Sequence, residues 1–256
     1  MSINLLTSLM ISLLFSISPL NSALAEAGGG ANASDPTASV NYVDLRFQAF
    51  DLNGTADRDR FAVEGAYVFN PAHKITYELN YWNTNITGND ETGLESFKMK
   101  YINLRPKMLS GGLKYKLAAG VEIIHGLGEV NEGIGSGTDQ IAPLFGAGWS
   151  LDDRNLVITL VQYFHSVSED ANAQKVRTTG PRLIWIYKLP DIGGWLKVDD
   201  KFSIDHENDN HSSNILEIQL GKMFTPTIGG YIDYLTSTGG IKQYEDGFGV
   251  GLRIAF

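Results

Sequence analysis

Charged side chains recur two residues apart along this chain. Lys98 and Lys100 form one such pair, Lys114 and Lys116 another, and Lys197, Asp199 and Lys201 a triplet. Arg46, Arg60, Glu64, Lys74, Glu78, Arg182, Glu217 and Arg253 stand, like them, beside an apolar neighbour. A spacing of two puts side chains on one face of a strand. If such faces close around water, rings of Lys and Arg line a pore and favour anionic or polarised solutes. The same residues allow a second arrangement, in which cations and acids pair across strands and fill the interior as a solid polar core.

A different chemistry is suggested by His211 and Ser213, with Glu207 and Asp209 just upstream. An imidazole can activate a hydroxyl when an acid orients it. The pair shares its phase with Glu217 and Gln219, however, which places it on the polar face, whereas a lipid-cleaving site must face lipid. His165 and Ser168 in "YFHSVSED" are a looser version of the same idea. His125, His165, His206 and His211 lie near strand ends beside carboxylates, and neutral imidazole is a ligand for Zn²⁺ or Cu²⁺. They lack the spacing of a metal site. No catalytic residue, metal or cofactor is assigned.

The elements that must position these residues are strands. Val43, Leu45, Phe47 and Ala49 alternate with Asp44, Arg46 and Gln48, and similar period-2 segments follow to the end of the chain. Twelve strands are predicted. Residues 155–165, "NLVITLVQYFH", are apolar on both faces and cannot be phased. Asp200 falls on the apolar phase, which means either an interface position or a bulge. Long polar connections such as "NTNITGNDETG" take turns with short ones such as "NPAH" and "TPTIGG". Pro71, Pro106, Pro190 and Pro226 mark the short ones, since proline cannot donate to the ladder.

A soluble sandwich gives no reason for long and short connections to alternate. A transmembrane antiparallel β-barrel of about 12 strands does, with short periplasmic turns and long outer loops. Lipid allows no free strand edge, and segments of about 10 residues alternate apolar-out and polar-in. Phe47, Tyr67, Tyr77, Tyr81, Trp149 and Trp185 lie on the apolar phase, as an interfacial aromatic girdle requires. On this phasing, cations outnumber acids on the inner face. The acidic excess of a chain with net charge −9 lies in the loops, where it could hold divalent cations bridging to lipopolysaccharide. That acidity also argues against nucleic acid as a partner.

The N-terminus carries an apolar run, "LLTSLMISLLFSISPL", then "ALA". This is the pattern of a signal peptide, residues 1–25, cleaved near Ala25. Residues 26–39 read as a flexible segment and 40–256 as the barrel. The chain has no cysteine, so neither disulfide nor thiolate chemistry applies. It ends "GFGVGLRIAF", an alternating strand closing on Phe256, with Gly247, Gly249 and Gly251 on the inner face allowing tight curvature or leaving room.

"QYFHSV" (162–167), "LPDIGGWLKVDDKFSIDHENDN" (189–210), "EIQLGKMFTP" (217–226) and the terminal "GVGLRIAF" resemble Gram-negative outer-membrane proteins grouped with transporter-like barrels of the meta-pathway of phenol degradation. The resemblance covers residues 140–256. It implies an outer-membrane location, passage of small and in some cases aromatic solutes, and reading of Phe256 by the barrel-assembly machinery. Among function classes, a diffusion channel with a basic lumen leads. A non-conducting barrel for envelope structure or adhesion is the alternative, and a lipid A-modifying hydrolase comes third.

Overall fold

Period-2 alternation of branched and aromatic residues with polar ones builds most of the described chain into strands. The computed structural model describes residues 35–52, 54–240 and 242–256. The expected signal peptide 1–25, its cleavage near Ala25 and most of the 26–39 segment lie outside the described residues.

The strands are β1 (Tyr42–Asp51), β2 (Asp57–Asn70), β3 (His73–Thr84), β4 (Glu91–Met108), β5 (Lys114–Gly126) and β6 (Thr138–Ser150). They continue as β7 (Asn155–Glu169), β8 (Arg177–Leu189), β9 (Gly194–Asp205), β10 (His211–Met223), β11 (Ile228–Gly239) and β12 (Asp246–Ala255). Each pairs antiparallel with its sequence neighbours, and β1 pairs with β12 to close the barrel. The sheet therefore has no edge.

The end where β1 begins and β12 finishes has compact turns. Pro71 and Ala72 alone join β2 to β3. Gly112 takes φ +85° in the β4–β5 turn, a conformation that favours glycine. Asp152 holds the β6–β7 turn, accepting from the backbone N–H of Arg154 at 2.8 Å and of Asn155 at 2.6 Å. These bonds, with a further one from the Asn155 side chain, keep its carboxyl below the usual range. At the opposite end, here the loop end, strands run further than the polar stretches suggest. β4 already begins at Glu91, β7 runs to Glu169 and β10 begins at His211. The longest connection there, residues 127–137, includes the 3-10 turn Val130–Glu132 and buries Ile134.

Burial is inverted relative to a water-soluble domain. Phe47, Phe97, Phe145, Leu183, Ile232, Phe248 and Val250 stand exposed on the outer wall, while Asp44, Gln48, Asn80, Asp199 and Glu217 are fully buried inside. That is the distribution of a barrel whose surroundings are hydrocarbon.

Residues 155–165 acquire a phase from their partners. Val157, Val161 and Tyr163 face out; Leu156, Ile158, Leu160 and Gln162 face in. Leu156 and Ile158 are apolar because they meet Ile184 and Ile186 of β8 in a buried cluster, while Gln162 donates to Glu122. Asp200 faces outward between Leu183 and Leu216, in a register unbroken by any bulge. The glycines of β12 make room for neighbouring side chains rather than for an open bore. A Cβ on Gly251 would lie 2.0 Å from the Tyr231 ring, and one on Gly249 would lie 2.5 Å from the Asp233 carboxylate. Gly221 does the same for the Trp195 indole.

Candidate functional site

Strand register turns every predicted lining residue inward, and the middle of the barrel collects most of them. Arg46, Arg60, Glu64, Glu78, Lys98, Lys100, Arg182, Lys197, Asp199, Lys201, Glu217 and Arg253 surround a cavity of about 410 Å³. Lys74, Lys114 and Lys116 lie nearer the short-turn end.

The cations are matched by acids. Glu217 accepts from Lys197 and Lys201, each at 2.8 Å, and from Arg46 at 3.0 Å. Directly across the ladder, Asp199 takes a two-pronged contact from Arg182, at 2.7 and 2.5 Å. Two buried acids can stand side by side because four cations share them. Asp233 receives Arg46 at 2.5 Å and Gln48 at 2.7 Å. On the other side, Glu78 binds Arg60 at 2.8 Å and Lys98 at 2.9 Å, and Glu122 binds Lys100 at 3.3 Å. The mutual repulsion expected of Lys98 and Lys100 is thus relieved by Glu78 and Glu122. Glu64 lies 3.6 Å from both Arg46 and Arg60.

Below this belt lies a second cluster of charged and aromatic side chains. Arg253 chelates Asp44 across the β1–β12 seam at 2.8 and 2.5 Å. Its guanidinium lies against the rings of Tyr42, Trp195 and Tyr231. Trp195 is buried and donates to Gln219 at 2.9 Å. The described part of the 26–39 segment, expected to be flexible, is held inside the barrel. Lys74 donates to the Pro36 carbonyl and Lys116 to the Thr37 carbonyl, the latter at 2.7 Å. Asp35 accepts from both the backbone N–H and the hydroxyl of Thr37 at 2.7 Å. Thr37 is buried, and a Cβ on Gly148 would meet it at 2.9 Å. Two of the predicted lining lysines therefore grip the chain's own backbone. Lys114 is exposed at the rim.

The inner wall is not polar all round. Leu156, Ile158, Ile184 and Ile186 form an apolar cluster, and Ile124, Phe164 and Ile184 line the cavity among the charged residues, Ile124 directly beside Lys98. Thr37, Trp195, Arg58 and Trp82 are inward residues that the sequence reading did not select. Counting back by two from Arg60, or on by two from Asn80, reaches the last pair.

The histidines do not assemble the hydrolytic pair. His211 Nδ1 contacts the Asn208 carbonyl at 2.6 Å, and His125 contacts Asp139 at 2.6 Å. His206 joins the Thr179 hydroxyl and the Asn210 amide oxygen, both at 2.8 Å, on the outer wall. That relay has a threonine where the proposed chemistry needs Ser213. Among the described residues, no three or more His, Asp or Glu side chains converge as a metal site would require.

No protein-family model and no curated protein matches the chain significantly. Solved structures do. The COG4313 outer membrane channel from Pseudomonas putida F1 superposes with TM-score 0.66 at 10% identity, over 85% of this chain and 96% of that one. The NanC porin gives 0.61 at 13% identity, over 83% and 98%. The KdgM porin gives 0.59 at 10% identity, over 84% and 99%. Over nearly their full lengths, this chain has the closed-barrel fold of outer-membrane porins and channels.

Proposed function

We propose that this protein is a channel of the bacterial outer membrane, through which small solutes diffuse along a basic lumen after the signal peptide is removed. The observation that carries the reading is the mid-barrel cavity, with Lys98 and Lys100 on one side and Arg182, Lys197 and Lys201 on another. The named porins and channel that share the fold support it. Ion pairs narrow the lumen, so the solutes are small, and the cations favour anionic or polarised ones. Residues 35–39 obstruct the short-turn end and must shift for passage. They are held by Lys74 at the Pro36 and Ala38 carbonyls, by Lys116 at the Thr37 carbonyl and by the Ser39 hydroxyl at the Pro71 carbonyl, attachments that can open without disturbing a strand.

Other parts of the proposal follow from the barrel. Its outer wall contacts membrane lipid, its loop end meets lipopolysaccharide, and Phe256 is the handle read by the assembly machinery. The short-turn end faces the periplasm. Nothing in the geometry favours lipid hydrolysis, because His211 is not bonded to Ser213.

The test is single-channel recording of the refolded protein, residues 26–256, in planar bilayers under a salt gradient, beside a variant lacking residues 35–39. Discrete anion-selective steps are expected, larger in the shortened variant. Silence from both, in barrels that migrate as folded until heated, would overturn the channel and favour the non-conducting alternative.

A further inference from the structure

Arg58 and Arg60 sit two residues apart on the inner face of β2, yet their surroundings differ. Arg60 is fully engaged. Its Nε donates to Asn80 at 2.7 Å, one terminal nitrogen to Gln48 at 2.9 Å and the other to Glu78 at 2.8 Å. Arg58, one step closer to the loop end, makes no hydrogen bond or ion pair with any described residue. Its guanidinium instead lies 4.0 Å from the centre of the Trp82 ring. Trp82 is directly opposite Arg60 in the β2–β3 ladder, on the inner face. The indole N–H of Trp82 and the Nε of Arg58 are both buried without an acceptor. Glu95 acts on Arg58 through space, but its own carboxylate takes the Ser96 hydroxyl.

An arginine that only filled space would be expected to pair with an acid, as Arg46, Arg60, Arg182 and Arg253 do here. Stacking on the indole fixes the plane of the guanidinium while leaving its hydrogen-bonding edge uncommitted. With Nε buried, the edge that remains is the pair of terminal nitrogens, which matches the two oxygens of a carboxylate. We propose that Arg58 and Trp82 form a carboxylate-binding site at the loop-end mouth of the barrel, the first contact of an entering organic acid. The proposal rests on the channel reading and deepens it by naming the solute class, organic carboxylates, and the residue that selects them.

The probe is benzoate, with benzamide as its neutral counterpart, titrated into the refolded protein in micelles and followed by tryptophan fluorescence. Saturable benzoate binding is expected, with benzamide at least about tenfold weaker, the usual scale for losing a hydrogen bond to a charged group. Arg58→Gln should abolish the preference for benzoate. Arg58→Lys keeps the charge but loses the fork, so it should weaken benzoate by about tenfold. Trp82→Phe identifies the reporting ring and preserves an aromatic surface if another variant fails to fold. Benzoate affinity unchanged in Arg58→Gln, or equal for benzoate and benzamide, would overturn the site. The two readings fail separately: conduction without Arg58-dependent binding sinks the site alone, and Arg58-dependent binding in a barrel that never conducts sinks the channel alone.

Discussion

Two adjoining patches of the barrel interior solve the same packing problem with opposite chemistry. On the first, which runs from β8 round to β1, Arg46, Arg182, Lys197 and Lys201 are interlocked with Asp199, Glu217 and Asp233. Beside it on β7 and β8, Leu156, Ile158, Ile184 and Ile186 pack as they would in a soluble core, with Ile184 paired to Asp199 and Ile186 to Lys197 in the β8–β9 ladder. The first wall is directional: each cation needs its acid at hydrogen-bonding distance. The second asks only for shape and area. The contrast shows that a barrel lumen need not be uniformly polar. A solute crossing mid-barrel meets charge and hydrocarbon side by side.

Three changes probe that contrast. Glu217→Ala should have the largest effect on stability, about 3–5 kcal/mol, because it removes the one acid within hydrogen-bonding distance of Lys197 and Lys201 and one of the acids around Arg46. Urea unfolding in micelles measures it, and a loss near zero would mean that water already solvates the belt. Ile186→Ala on the apolar wall should cost about 2–4 kcal/mol by the same assay. If it cost more than Glu217→Ala, the apolar wall would be the main support of the interior. Lys98→Gln combined with Lys100→Gln should lower the anion-to-cation permeability ratio several-fold, read from reversal potentials, as lumenal charge sets selectivity. An unchanged ratio would shift selectivity to the Arg182–Lys201 side.

The smallest effect lies outside both walls. Asp152, exposed in the β6–β7 turn, has its carboxyl lowered by the Asn155 side chain and by the backbone N–H groups of Arg154 and Asn155. A carboxyl lowered in the fold stabilises it above the ordinary carboxylate value, about pH 4, and loses that contribution as acidification passes its lower folded value. Asp152→Ala should therefore melt slightly earlier than the parent at neutral pH, with the gap closing in acid. A gap that widened in acid would reverse the assignment.

Much of this was readable from residue order. Alternation gave the strand number and the inward phase of every predicted lining residue, because a one-residue slip would turn Lys98 or Glu217 onto the apolar wall. The phase failed only at residues 155–165, where the partner strand β8 supplies an apolar inner face that no local pattern announces. Arg58 was hidden by its neighbours: Asp57, Arg58, Asp59 and Arg60 are charged on both faces. The seating of residues 35–39 depends on Lys74 and Lys116, 38 and 79 positions away from Pro36 and Thr37. A polar segment satisfied at that range looks like a linker. The pairing of cations with acids was likewise one of two readings left open, since spacing shows which residues share a face and not how far they reach.

The β1–β12 seam has a consequence for assembly in time. Asp44 and Arg253 are 209 positions apart, and no contact made earlier along the chain can substitute for theirs. The entropic cost of so large a closure is modest, because each doubling of loop length adds only about 0.6 kcal/mol. The delay is what matters, since contacts of such separation form slowly. Until β12 has been made and delivered, β1 keeps one unpaired edge, open to pairing with other chains. The interval between synthesis of β1 and arrival of β12 is therefore when this protein most needs an escort.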